Sequence, residues 1–272
     1  MPEIIADQRM DTIIELFYAF KYEKTLVIDF SRTRFVSPAG YAILACLYDR
    51  VVEQKTKIKI RKIKRVIKKL PIVEKIIHHA QVDTLSQTET LDYESDTLIF
   101  TCNSQALNPL FPEKLVNKFN NILNDDVRFD IQLIMNELMQ NTVDHSSAER
   151  YYMYGGLWNN ELHCGVLDMG VTIPAKLEQK YVAQNDIEYL ERALAKGIST
   201  RRVREGGFGL YYFYSFLKKN NAKLTIISRN AQMRLYFKTR KSQKSLLKYP
   251  LNGTWCFARF DLENQKINEI FL

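Results

Sequence analysis

The stretch Ile131 to Ser146 constrains this chain most, because it carries two different stripes at one helical period. Ile131, Ile134, Met135, Leu138 and Met139 form an apolar stripe at the spacing of an amphipathic helix. Glu137, Asn141, Asp144 and His145 form a second stripe at the same spacing. Residues three and four apart on a helix are surface neighbours. One face therefore seeks a core, and the other groups a carboxylate, an amide, a second carboxylate and an imidazole. A solvated amphipathic helix shows the same pattern, so the segments that follow decide what this polar face is for.

Tyr151–Trp158 and Glu161–Leu167 read as two strands joined at Asn159-Asn160. Asp168-Met-Gly-Val-Thr-Ile-Pro174 follows directly. An aspartate at a strand end is placed to accept a hydrogen bond from an exocyclic amine, and Gly170 lets the backbone approach a flat ring. Next come the polar, basic run Lys196–Arg204 and the turn Glu205-Gly-Gly-Phe-Gly-Leu210, which feeds the apolar helix Tyr211–Leu217. A glycine-rich turn at a helix N-terminus offers free N–H groups and a positive dipole end to phosphate.

These blocks resemble, in order, the motifs of the GHKL (Bergerat-fold) ATPases, which include gyrase, histidine kinases and anti-sigma-factor serine kinases. Glu137-x-x-x-Asn141-x-x-x-His145 is similar to their N box, and Asp168-x-Gly170 to the first glycine box. Gly197-x-Ser199-Thr200 is similar to the start of the ATP lid. Gly206-Gly207-x-Gly209-Leu210 is similar to the second glycine box, and Gly253-Thr254, opening the strand Trp255–Phe260, to the late Gly-Thr pair. The resemblance covers roughly residues 97 to 262.

It implies ATP and Mg²⁺ as ligands, with Asn141 giving a side-chain oxygen to the metal, as hard cations require. Glu137 would orient or deprotonate the attacking water or hydroxyl. His145 would line the phosphate end or, more plainly, cap the helix. Asp144 would match an acid found in gyrase-like members or be a solvated or Arg-paired carboxylate. Asp168 would read the adenine amine, with Thr254 supporting it or a bound water. Gly207, Gly209 and the Leu210 amide would cradle phosphates. Thr172 stands where the first glycine box usually has its second glycine, so that loop departs from the family. Arg201, Arg202 and Arg204 would reach the γ-phosphate or an acidic partner, or sit as exposed lid charges.

The first third alternates strand and helix, as a small α/β layer does. Asp11–Phe20, Pro38–Val52 and Lys64–Ala80 (interrupted by Pro71) read as helices, and Thr25–Phe30 and Lys57–Arg61 as strands. Leu26-Val-Ile-Asp-Phe-Ser-Arg-Thr-Arg-Phe-Val-Ser-Pro-Ala-Gly40 resembles the loop region of a STAS domain of anti-sigma-factor antagonists. The family's phosphoacceptor serine precedes a glycine; aligned on Gly40, that position is Ala39, and Ser37 is a displaced alternative.

Gln81–Asp96 is polar and acidic and reads as a linker. Thr97–Cys102 looks like a strand, and Pro109 and Pro112 precede a helix to about Leu123. The expected organisation is an α/β (α+β) chain, with a STAS-like unit over 1–95 and a GHKL α/β sandwich over 96–272. That sandwich should hold a mixed sheet with helices on one face.

Nine basic residues and no acid fall between Lys55 and Lys69, within a net charge of +8. A nucleic-acid patch would want interleaved aromatics, which the run lacks, so nucleic acid is not the expected partner. Cys46, Cys102, Cys164 and Cys256 are scattered without a C-x-x-C pair, so neither a disulfide framework nor zinc is expected. No apolar run nears the ~20 residues that span a bilayer, and Met1–Met10 lacks a signal-peptide core. The expected setting is the cytoplasm.

No histidine box or transducer domain flanks the ATPase-like half, which brings the chain nearest to the anti-sigma-factor serine kinases. The expectation is an ATP-binding regulatory protein of partner-switching type, with Mg-ATP-dependent serine kinase or slow ATPase activity. A STAS-type antagonist or sigma-like regulator would be its protein partner, and homodimerisation is left open. The alternative is a non-catalytic module whose protein interactions ATP gates.

Overall fold

A computed structural model describes residues 1–6, 10–19, 25–53, 57–62, 91–94, 98–103, 106–198 and 209–262. In chain order the elements are β1 (Ile4–Ile5), α1 (Met10–Ala19), β2 (Thr25–Asp29), β3 (Phe35–Val36), α2 (Pro38–Glu53), β4 (Lys57–Arg61), β5 (Leu91–Glu94) and β6 (Leu98–Asn103). Then follow α3 (Leu110–Lys118), α4 (Asp125–His145), β7 (Tyr151–Trp158), β8 (Glu161–Asp168), α5 (Ile173–Leu177), α6 (Asp186–Ala193), α7 (Gly209–Lys219), β9 (Lys223–Tyr236) and β10 (Lys241–Asp261). The expected helix Lys64–Ala80 lies outside the described residues.

The class is α+β, as expected. Its centre is a six-stranded sheet in the order β5-β6-β7-β8-β10-β9. Every pairing in it is antiparallel, where a mixed sheet was expected. β5 and β6, and β7 and β8, are joined by short connections of the kind antiparallel pairing allows, whereas α3 and α4 intervene between β6 and β7. β7 and β8 meet through Asn159 and Asn160, both at positive φ (+49° and +59°), the left-handed pair that a two-residue hairpin turn requires. β5 falls inside the segment that reads as a linker. β2 and β4 pair in parallel across the α2 crossover, apart from the main sheet.

Each face of the sheet packs against helices. On one, Met153, Cys164, Val166, Cys256 and Phe260 join the apolar sides of α3, α4 and α7. On the other, Tyr152, Tyr154, Leu167, Trp255 and Phe257 join Ile13, Phe17, Ala42 and Ile43 of α1 and α2. The helices that follow β6 thus keep to one face, as expected of the second unit, while α1 and α2 of the first unit cover the opposite face. Trp255 is fully buried there, edge-on to Phe17 with ring centroids 5.3 Å apart.

α4 owes its length to its ends. Asn124 caps it by accepting from Val127 N at 2.9 Å, Asp125 and Asp126 face the positive dipole end, and His145 sits in the last turn.

A charged cluster gathers around Glu161 at the start of β8. Glu161 takes Lys223, lies 3.4 Å from His163 Nε2 and 3.7 Å from Arg259 Nη1, and both His163 and Arg259 are buried. Burial opposes ionisation of Glu161, but His163, Lys223 and Arg259 outweigh it and hold its pKa near 2. Because the folded value is depressed, this stabilisation is present above the ordinary carboxylate range and is lost as pH falls toward about 2. Glu161→Gln strands the buried Arg259 guanidinium and should cost about 3 kcal/mol at pH 7, read as a lowered urea midpoint. An unchanged midpoint would remove this cluster from the account of stability.

Candidate functional site

Asp168 ends β8 between Tyr151 of β7 and Thr254 of β10. Its side chain is buried, and its Oδ1 accepts from Gly170 N at 2.9 Å. The Thr254 amide also donates to it. Burial pushes this carboxyl up to about 7, and the two amides only partly offset that. The group is thus poised near neutrality with acceptor capacity to spare.

Two close backbone approaches build the surroundings. A Cβ on Gly170 would lie 2.0 Å from the Ser146 carbonyl oxygen. That same oxygen accepts from Val171 N at 2.5 Å. The loop after Asp168 is thereby fastened to the C-terminal end of α4, the helix that carries Glu137, Asn141 and His145. Gly253, at φ +109°, brings its Cα so near β8 that a Cβ would sit 2.1 Å from the Asp168 carbonyl oxygen. Between Leu251 and Thr254 the register of β10 against β9 shifts, and this irregularity delivers Gly253 and Thr254 to Asp168.

Ser228 of β9 joins these parts. Its Oγ accepts from Ile173 N at 2.9 Å, donates to the Gly253 carbonyl at 3.1 Å and lies 2.9 Å from Thr254 Oγ1. Its single proton is committed to Gly253, so Thr254 Oγ1 donates to Ser228. Thr254 therefore serves Asp168 through its backbone and Ser228 through its hydroxyl. Sequence reasoning missed Ser228, because a serine inside a strand carries no local signal.

On α4, Asn141 is half-buried, and its Nδ2 is buried without a hydrogen-bond partner. Glu137 lies one turn earlier and is half-buried, as is His145 one turn later. Asp144 is exposed and accepts from Gln140 Nε2 at 2.8 Å, turned along the helix surface.

Thr172, which replaces the family's second glycine, is buried and caps α5 by accepting from Ala175 N at 3.3 Å. The departure thus has a local structural use. Gly197 has φ +79° in the turn after α6, and among the described residues nothing lies within 4 Å of where its Cβ would be. Gly209 and Leu210 open α7, which packs on α4. Ser199, Thr200, Arg201, Arg202, Arg204, Gly206 and Gly207 lie outside the described residues.

In the first unit, Ala39 and Ser37 are both fully buried. Ser37 Oγ accepts from Gly40 N at 3.2 Å, the bond of a cap on α2. The displaced acceptor is therefore occupied in the fold rather than presented to solvent.

Asp168 would be the buried acceptor that an adenine amine needs, and the side-chain oxygen of Asn141 is of the kind Mg²⁺ takes. Among the described residues no group of three His, Cys, Asp or Glu side chains could hold a metal ion by itself. A Mg²⁺ carried mainly by phosphates and water asks the protein for only one or two oxygens. Also among the described residues, no helix is long and apolar enough to cross a membrane. Compared with protein-family models and with curated proteins, the chain matches none.

Proposed function

We propose that this chain is a cytoplasmic ATP-binding regulator of partner-switching type, acting as a Mg-ATP-dependent serine kinase or slow ATPase. The observation that carries this reading is Asp168, a buried carboxylate met by two backbone amides beside a glycine locked to the end of α4. Asp168 would accept from the exocyclic amine of adenine, with Gly170 holding the loop against the end of α4. Asn141 would turn its amide oxygen to Mg²⁺. Mg-ATP supplies an activated phosphoryl group when bound. Glu137 would take the proton from the attacking water or serine hydroxyl.

Glu137→Ala should lower ATP turnover by a hundredfold or more, about the worth of a general base, while ATP binding stays within a few-fold. Release of γ-labelled phosphate and calorimetric titration check the two halves. Undiminished turnover would end the assignment of Glu137.

A second reading has a specific observation behind it. The loop that resembles a STAS phosphoacceptor offers only buried Ala39 and Ser37, which favours a module that binds ATP and selects a partner without transferring phosphate. Incubation with γ-labelled ATP, alone and with STAS-type or sigma-like partners, separates the two readings. Label on protein or free phosphate supports the enzyme; binding without either supports the gated module.

A further inference from the structure

Two adjacent residues of β9 hold the segment that follows Asp168 at two separate points. Ser228 takes its start through Ile173 N. Arg229 takes its middle: Nε donates to Asp186 Oδ2 at 2.9 Å, and Nη2 donates to Asp186 Oδ1 and to Glu178 Oε1. Asn230 N adds a third bond to Asp186, at 3.0 Å. Asp186 is buried at the first turn of α6, whereas Glu178 is largely exposed just past α5. Burial works against the charge on Asp186, yet the Arg229 fork and the Asn230 amide hold its carboxyl below the usual range.

The backbone of Arg229 is the second observation. Its φ of +51° lies in the left-handed region, which costs an ordinary residue about 1 kcal/mol. Such a conformation persists only where its surroundings fix it. Here it occurs at the register shift, with Ser228 opposite Thr254 and Arg229 opposite Leu251. The irregularity that presents Gly253 and Thr254 to Asp168 also turns Arg229 toward Asp186. Inside the held segment, Leu177, Tyr189 and Ala193 form a small core that Ile173, Ile198 and Leu210 join. That core links the loop after Asp168 to the start of α7.

We propose that Arg229 is a positioning residue for the adenine site: its two-carboxylate latch keeps residues 172–198 seated as one unit beside Asp168. This rests on the adenine reading above. Without the latch the unit opens locally, and nucleotide binding must first close it. The guanidinium touches neither nucleotide nor reacting atoms.

The test uses the full chain with Arg229→Gln, Arg229→Lys and the milder Glu178→Gln, which guards against a variant that does not fold. Hydrogen exchange is followed without nucleotide, and ATP affinity is measured by calorimetry. Arg229→Gln should speed exchange over 173–198 about tenfold, leave 151–168 and 254–261 unchanged, and weaken ATP about tenfold. Lysine keeps the charge without the fork and should fall between, and Glu178→Gln should shift exchange in the same segment by a smaller factor. Wild-type exchange in 173–198 for both Arg229→Gln and Glu178→Gln overturns the proposal whatever ATP does. Faster exchange throughout the sheet overturns it too, since the network would then be general stability. Faster local exchange in a chain that binds no ATP when wild-type sinks the adenine reading and leaves the latch standing.

Discussion

Asp168→Asn should stabilise the nucleotide-free protein at pH 8 and weaken adenine-nucleotide binding there by tenfold to a hundredfold. The sign follows from the carboxyl's position. Its folded pKa is raised to about 7 from 3.8, chiefly by burial. Between those values the folded state holds the proton more tightly than the unfolded chain does. Stability therefore falls as pH rises from about 4 to about 7 and levels off above. A shift of that size corresponds to at most about 4 kcal/mol. Asparagine removes the charge but must direct its own N–H₂ toward backbone donors, so a gain of about 2 kcal/mol is expected at pH 8, vanishing near pH 4. Binding should run the other way. An amine donor favours the ionised carboxylate, so wild-type affinity should rise with pH up to about 7. ATP phosphates titrate nearby, so the decisive quantity is the difference between the wild-type and Asp168→Asn profiles. Urea midpoints and calorimetric titration across pH 4 to 8 supply both halves. Parallel profiles for the two proteins would remove Asp168 from the site.

Gly170→Ala and Gly253→Ala should each cause a large loss of stability. Each added Cβ meets a backbone oxygen, at 2.0 Å from Ser146 and 2.1 Å from Asp168 respectively. Backbone cannot swing aside as a flexible side chain can, so either the loop leaves α4 or β10 leaves β8. A loss of about 3 kcal/mol is expected for each, larger at Gly253 because φ +109° is itself hostile to a side chain. Gly197→Ala is the internal control. It has a positive φ but no close neighbour among the described residues, and should cost only about 1 kcal/mol. Midpoints from urea unfolding rank the three, and a Gly170→Ala midpoint at or above that of Gly197→Ala would contradict the close packing at Ser146.

The parts of this architecture legible in the sequence are those written in local chemistry. α4 shows in its two stripes, the β7–β8 hairpin in Asn159-Asn160, and Asp168 in its place at a strand end. β5 was hidden because Leu91–Glu94 sits in a polar, acidic run, where pairing to β6 rather than composition makes the strand. α5 and α6 are short, and their signals are the caps Thr172 and Asn185, which compete with loop readings of the same residues. Strand direction has no local signature, so the antiparallel character of the sheet was not readable. Covering of both faces did have one: Trp255–Phe260 is nearly continuous in apolar residues, as strands buried on two sides are. Ser228 and Arg229 act through partners 26 and 43 positions away, distances at which no motif reaches.

The aromatic layer beneath α1 and α2 bears on how this protein can be handled. Severing the chain near residue 95 would strip Tyr152, Tyr154, Trp255 and Phe257 of their cover and set a broad greasy plane against water. A fragment beginning there should clump or recruit detergent, and biochemistry on the back portion is best attempted with its front portion still attached.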